Sequence, residues 1–144
     1  MAHAPSLPAL LRRARVPYKR AVRAALAEVG CEDLPEHGAA VLGAIARSPS
    51  SAGGIAALLD ISKQSASQLI DALVLRGYVE RVPDTVDRRR ICLTPTERGL
   101  EAARAARSAV QATDAALAQR ISAEGMAQLR AALMAWAEES DDAG

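Results

Sequence analysis

Arg88, Arg89 and Arg90 follow directly on Asp87, in a stretch bounded by turn-forming residues. Guanidinium groups held this close repel one another unless an anion meets them. Earlier in the chain, Ser62, Lys63, Gln64, Ser65, Ser67 and Gln68 would share the polar face of a helix. Glutamine can read adenine with two hydrogen bonds, and serine is compact enough to let a helix approach phosphates or base edges. One polyanion offers a groove for the helix and another for the arginines, and that is duplex DNA. An aspartate at a phosphate-facing tip is repelled unless it serves to hold an arginine in place. The plainer alternatives are a solvated charge cluster and an ordinary wet helix face.

Other chemistries find little support. There are no paired carboxylates, no Ser/His/Asp set and no phosphate loop, since Gly53-Gly54 alone is not a cradle. The expectation is a protein that is not an enzyme and uses no cofactor and no metal. Cys31, Glu32, Asp33 and His37 cluster in sequence and could form a metal site or a redox switch. The alternative is a small apolar cysteine at a helix junction beside a partly exposed histidine. Cys31 and Cys92 lie far apart without metal-like spacing, which fits a reduced, cytoplasmic compartment. No apolar run reaches the roughly 18 residues of a membrane span, and arginines interrupt the N-terminus where a signal peptide needs its apolar core.

The elements that would position these residues follow from periodicity and punctuation. Leu7, Leu10, Leu11 and Ala14 give a short amphipathic run that Pro17 should interrupt. Tyr18, Ala21, Val22, Ala25, Leu26 and Val29 then recur at helical spacing, and Gly30 closes the segment. A further helix is expected from about Asp33–Pro35 to Arg47, and a short one over 53–59 with a weak glycine-rich start. Asp60-Ile61 forms a turn, Ser62 caps the polar-faced helix, and Gly77 ends it. Tyr78–Val82 reads as a strand, Pro83–Val86 as its turn, and Ile91 and Leu93 as the inward side of a returning strand. Thr94-Pro95-Thr96-Glu97 looks like a helix start in which Thr94 caps and Pro95 takes the first helical position. A long helix from Leu100 to Ile121 and a last helix starting at Ser122 complete the chain.

At 144 residues, half of them apolar, the chain is long enough for one compact domain, or one domain with dimerisation arms. It has only three aromatic residues and 33 alanines, so its core buries little area per residue and should gain from a partner subunit. The net charge of +1 argues nothing by itself, but its placement does. Residues 12–23 hold Arg12, Arg13, Arg15, Lys19, Arg20 and Arg23 with no acid, while Glu138, Glu139, Asp141 and Asp142 lie at the end. The basic run could flank DNA or an acidic partner segment, or could simply be solvated.

The ordered set of motifs resembles the MarR family of winged helix-turn-helix transcriptional regulators. Leu34-Pro35 with Val41-Leu42 resembles that family's second helix, and residues 55–64 its helix-turn-helix entry. Arg76-Gly77-Tyr78-Val79-Glu80-Arg81 resembles the recognition-helix exit and first wing strand. Asp84, Asp87-Arg88-Arg89, Leu93-Thr94 and Glu97-Arg98-Gly99 resemble the wing signature. The chain departs from the pattern in a wing about two residues short, in Ala52-Gly53-Gly54 at a helix start, and in Asp60 where glycine is common. The zinc-sensing pattern of the family needs later histidines, and none follows His37; the peroxide-sensing pattern has its cysteine in the first helix, and Cys31 follows that helix.

The resemblance implies a mainly α (α+β) fold, a winged helix-turn-helix with a small β-hairpin wing and helical dimerisation arms. The expected organisation is 1–33 as N-terminal dimerisation helices, 34–99 as the DNA-binding lobe and 100–144 as C-terminal dimerisation helices, within one compact single-domain chain. It also implies that Asp87 orients Arg89 into a minor groove while Arg88 or Arg90 meets phosphate. A small, often aromatic or phenolic effector would bind between dimer helices and DNA lobes, with Tyr18, His37, Val41 and Arg104 as candidate pocket residues. The expected function is a sequence-specific, ligand-responsive repressor acting as a homodimer on a palindromic operator. The competing reading is a winged-helix module that turns its arginines on an acidic protein.

Overall fold

The computed structural model describes residues 4–141, with side chains through Glu138. The expectations for the acidic tail at Glu139, Asp141 and Asp142 therefore fall outside the described side chains. The element order is α1 (Leu7–Glu28), α2 (Gly38–Arg47), α3 (Ala52–Leu59), α4 (Lys63–Leu75), β1 (Val79–Pro83), β2 (Ile91–Pro95) and α5 (Glu97–Asp141). The chain resolves into two compact units, the first ending at Ala109 and the second beginning at Val110.

In the first unit, three helices end in the same way. After α1 the amide of Cys31 donates to Leu26 O at 2.8 Å, after α3 Ile61 to Ala56 O at 3.1 Å, and after α4 Tyr78 to Leu73 O at 2.9 Å. Each ending needs one left-handed residue, supplied by Gly30, Asp60 and Gly77 at φ 69°, 51° and 77°. The next residue then turns back onto the helix, so Cys31 and Tyr78 are fully buried and Ile61 half-buried. The core they join holds Val41, Leu42 and Ile45 of α2, Ile55 of α3, and Ala66, Ile70 and Leu73 of α4. Val79 of β1, Leu93 of β2 and Ala102 of α5 complete it. Full burial of a leucine- or isoleucine-sized side chain contributes about 1.5–3 kcal/mol.

β1 and β2 form an antiparallel hairpin with Val79 opposite Pro95, Arg81 opposite Leu93 and Pro83 opposite Ile91. Leu93 also donates to Ser50 O at 3.1 Å, which ties the loop before α3 to the outer edge of the hairpin. Ser51 caps α3 by accepting the Gly54 amide at 3.2 Å. This cap offsets the glycine-rich start that the sequence alone makes look weak.

Several expectations need correction. Pro17 does not interrupt the first helix: α1 is continuous through it. Proline deprives the Arg13 carbonyl of its helical donor, but both residues are exposed and water can serve instead. α2 begins at Gly38, later than expected, because residues 32–37 form turns and His37 is left-handed at φ 65°. Thr94 and Pro95 belong to β2, and the cap of α5 is Thr96, whose Oγ1 accepts the Gly99 amide at 3.1 Å. Strand pairing with Val79 and Glu80 outcompetes the local helix-start pattern. Ile91 is 53% exposed whereas Leu93 is buried, because Ile91 pairs at the hairpin's outer end beyond the reach of the core.

The second unit is the distal part of α5, which is not one straight helix. Ser122 has φ 70° and ψ 160°, a break that separates 97–121 from 123–141 and fits the expected last helix. Its hydroxyl accepts the Gly125 amide at 3.1 Å, capping the second limb. Asp114 and Arg130, equally distant from the break in sequence, form an ion pair at 2.5 Å, so the limbs fold back on each other. Among the described residues, no helix is long and apolar enough to cross a membrane.

Candidate nucleic-acid interface

α4 is set up from its first turn. Ser62 accepts the Ser65 amide at 3.1 Å and donates to the Ser65 hydroxyl at 2.9 Å. Ala66, Ile70 and Leu73 bury the opposite stripe, which turns Lys63, Gln64, Ser67 and Gln68 to solvent. All six polar residues singled out from the sequence are exposed, and the first turn carries no acid. Ser62 and Ser65 are engaged in the cap, whereas the side chains of Lys63, Gln64, Ser67 and Gln68 make no hydrogen bond or ion pair among the described residues. Asp71, an acid on the same helix, is ion-paired with Arg81 of β1. That pair is half-exposed and worth at most about 1 kcal/mol, but it answers a carboxylate that would otherwise face a polyanion unmatched.

The loop between the strands, residues 84–90, is organised by carboxylates that accept its own amides. Asp84 Oδ1 accepts the amides of Val86 at 2.7 Å and Asp87 at 3.2 Å, and its Oδ2 accepts the Cys92 thiol at 3.2 Å. The Asp84 amide donates to Arg90 O at 2.9 Å and closes the loop. The Val86 amide, then Cys92 and the Asp87 amide, hold the Asp84 carboxyl below the usual carboxylate range. The same contact, with some burial, pushes the Cys92 thiol up, away from thiolate reactivity. Asp87 Oδ1 accepts the Arg89 amide at 3.1 Å. Asp87 thus engages Arg89 through the backbone of the turn and not through its guanidinium. Arg88, Arg89 and Arg90 are exposed, and none is ion-paired among the described residues.

Between α4 and the hairpin lies a depression of about 170 Å³ lined by Ala52, Ser67, Ile70, Arg81, Ile91 and Leu93. It has an apolar floor, a hydroxyl and a guanidinium. None of the four pocket residues expected from the sequence lines it. Tyr18 is half-buried on α1, His37 and Arg104 are exposed, and Val41 is fully buried in the core, where it cannot meet a ligand without repacking.

Sequence reasoning does not find a second polar cluster, beneath the far end of α4. The buried Tyr78 hydroxyl donates to Asp33 Oδ1. Arg98 Nη2 donates to the same oxygen at 2.9 Å, and its guanidinium stacks over the Tyr78 ring at 4.2 Å. The Tyr78 bond, then Arg98, hold Asp33 below the usual carboxylate range, while burial and Asp33 push the Tyr78 phenol up. The partners lie 45 and 65 residues from Asp33, beyond any local signal. Asp84 does leave a local trace, since an aspartate followed by amides two and three residues on is an Asx-turn pattern. Among the described residues, no cluster of His, Cys, Asp and Glu suits a metal ion.

A capped, polar-faced helix preceded by a short helix and followed by an arginine-tipped hairpin defines a winged helix-turn-helix protein. Residues 33–90 match the family model of MarR. Among solved structures, the chain is similar to the reduced form of MarR from E. coli, with 21% identity over 92% of this chain and 96% of that one and a TM-score of 0.70. It is similar to a MarR family protein of Mycobacterium tuberculosis in complex with salicylic acid, with 28% identity over 94% and 99% and a TM-score of 0.64. It is also similar to a MarR family transcriptional regulator from Rhodococcus sp. RHA1, with 26% identity over 91% and 93% and a TM-score of 0.71. No curated protein matches the sequence at a significant level. The match over residues 33–90 and these structures support a DNA-binding transcriptional regulator similar to those of the MarR family.

Proposed function

We propose that this regulator acts as a homodimeric, ligand-responsive repressor on an operator of two inverted half-sites. One observation carries the DNA contacts: the wing engages the Asp84 and Asp87 carboxylates with its own amides and leaves Arg88, Arg89 and Arg90 exposed. In this reading Lys63, Gln64, Ser67 and Gln68 meet the major groove, with Ser62 and Ser65 near the backbone. Arg89 enters the minor groove and Arg88 or Arg90 meets phosphate. Asp87 orients Arg89 by fixing the turn.

Dimerisation is supported by apolar surface that a monomer would leave wet. Leu7, Leu10 and Val16 of α1 are about half-exposed, as are Leu129, Leu133 and Trp136 in the second unit. A two-fold dimer presents its recognition helices to inverted half-sites about one helical turn apart. Occupying a promoter in this way excludes other proteins, so repression is the direct output.

For the effector, the depression beside α4 offers Ser67 and the Arg81 guanidinium, shared with Asp71, to a carboxylate and Ile70, Ile91 and Leu93 to a ring. The M. tuberculosis relative was solved with salicylic acid, and a small aromatic acid fits the chemistry here. Tyr18, His37 and Arg104 remain alternative contacts.

The test is selection of bound sequences from a random duplex pool, followed by a salt titration with and without salicylate. A palindromic consensus with a steep salt slope, and weaker binding with salicylate, are expected. Salt-insensitive or undetectable binding to duplex DNA would favour the acidic-protein partner instead.

A further inference from the structure

The C-terminal end of α4 is held in a way that packing alone does not require. Arg98, in the first turn of α5, donates Nη1 to the carbonyl of Arg76, the residue that caps the end of α4. Its Nη2 donates to Gly30 O at 3.3 Å and to Asp33 Oδ1 at 2.9 Å, both in the corner after α1. Arg76 in turn donates to the Asp33 carbonyl, and the buried Tyr78 hydroxyl donates to the Asp33 carboxylate. Thr96 Oγ1 donates to Gly77 O at 2.6 Å. One guanidinium and one carboxylate thus bridge the exit of α4, the end of α1 and the start of α5.

We propose that Asp33 and Arg98 are positioning residues for DNA recognition. They lock the angle of α4 against α1 and α5, and so set the spacing between the two recognition helices of a dimer. The inference rests on the dimeric, two-half-site reading above. The physical argument is leverage. The cluster ties the C-terminal end of α4 to two other segments, the corner after α1 and the start of α5, while Lys63, Gln64, Ser67 and Gln68 lie toward the other end. The 13 residues of α4 span about 20 Å, so a tilt of about 10° at the anchored end moves the reading end by about 3 Å. That is close to the rise of a base pair, and enough to take one half-site out of register when its partner is seated. A single lobe on a single half-site could follow such a tilt without loss.

The experiment compares the parent with Tyr78→Phe, Asp33→Asn, Arg98→Gln and Arg98→Lys. Each is measured on the selected operator, on the same operator lengthened or shortened by one base pair, and on an isolated half-site. Dimer content is followed by light scattering and folding by thermal melting. Tyr78→Phe keeps the ring and loses only the hydroxyl, so it folds if the parent does. The expected result for Asp33→Asn and Arg98→Gln is about tenfold weaker binding to the operator. Half-site binding should stay within about twofold, and discrimination against altered spacing should shrink. Tyr78→Phe should move the same way by a smaller factor. Arg98→Lys keeps the charge but cannot span three acceptors, so it should not restore the parent's discrimination.

Parallel loss on operator and half-site would mean a damaged lobe and would overturn the proposal. So would unchanged binding in all variants, or full rescue by lysine. A parent that binds single half-sites as tightly as any spaced pair would instead sink the two-half-site reading on which the proposal rests.

Discussion

Gly99→Ala should be among the most damaging single-methyl changes in this protein, for a reason read directly from the geometry. A Cβ built on Gly99 would lie 2.1 Å from the Tyr78 carbonyl oxygen, 3.1 Å from its carbon and 3.1 Å from Leu42 Cδ2. Ordinary contact needs more than about 1 Å of further separation from that oxygen. The oxygen cannot retreat, because it accepts the Thr96 amide at 3.0 Å and belongs to a fully buried residue. Leu42 is fully buried as well. Overpacking of this kind costs about 1–3 kcal/mol or more, and a strained Thr96 bond about 0.5–1.5 kcal/mol. Alanine returns at most about 1 kcal/mol of helix propensity. The net is a loss of about 0.5–3.5 kcal/mol, or roughly 2–12 °C in Tm for a chain of this size. Gly43→Ala is the matched control: it lies inside α2 with nothing within 4 Å of the new methyl. It should gain about 0.5–1 kcal/mol. Both are read by thermal and denaturant unfolding at one fixed protein concentration, since the stability of the proposed dimer would depend on it. If Gly99→Ala melts at or above the parent, the close approach of α5 to Tyr78 is wrong.

The remaining predictions concern the wing and the cysteines. Arg89→Ala should cost on the order of 1–3 kcal/mol of operator binding and reduce the salt slope by about one unit, whereas Gln64→Ala should leave the slope alone and relax preference at one position per half-site; a salt titration of Arg89→Ala indistinguishable from the parent's would remove the wing from the groove. Cys92→Ser and Cys31→Ser should each leave operator affinity within about threefold under reducing and oxidising conditions. Cys31→Ser should still lower stability by about 1–3 kcal/mol by placing a hydroxyl in the core; a tenfold affinity loss reversed by reductant would revive a redox role. Asp84 is held below the ordinary carboxylate range, so its contribution to wing order is present above about pH 4 and lost as pH falls through its lowered value. Amide exchange of Val86 and Asp87 should therefore be slower in the parent than in Asp84→Ala at neutral pH and converge in acid; a constant difference across that range would refute the carboxylate's role.

The parts of the fold that are legible in the sequence are those specified within a few residues. Ser62 before an apolar stripe announces the start of α4, and Gly77 announces its end; both are local devices that need no partner. Asp60 can be placed in the left-handed turn because aspartate is one of the few non-glycine residues that enter it at moderate cost. The errors come where a distant element decides between local options. Thr94 and Thr96 both look like helix caps, and only pairing with β1 assigns Thr94 to a strand. Ile91 and Leu93 share the parity of one strand face, but parity does not say where the core stops. Pro17 looks like a break only while the cost of proline is counted without the water available to an exposed carbonyl. The Asp33, Tyr78 and Arg98 cluster joins three segments remote in sequence, so no window of the chain contains it.

The near-zero net charge and the DNA reading are reconciled by where each carboxylate spends its acceptors. Charges act on a ligand through what remains uncompensated at the surface that meets it, not through the total. On α4 and the wing, the carboxylates of Asp71, Asp84 and Asp87 are each engaged within the protein. Asp71 pairs with Arg81, Asp84 accepts the amides of the loop, and Asp87 accepts the Arg89 amide. Lys63 and the three wing arginines have no such partner among the described residues. The acids build the shape that displays the bases, and the field that results is positive where the nucleic acid would lie. Removing a wing carboxylate therefore has opposed effects: it raises the local positive charge, and it loosens the turn that aims it. If shape governs, Asp84→Ala and Asp87→Ala weaken specific binding while strengthening or sparing non-specific binding. If charge alone governs, both kinds of binding strengthen together. The ratio of operator to random-duplex affinity at fixed salt decides between them, and the geometry favours the first.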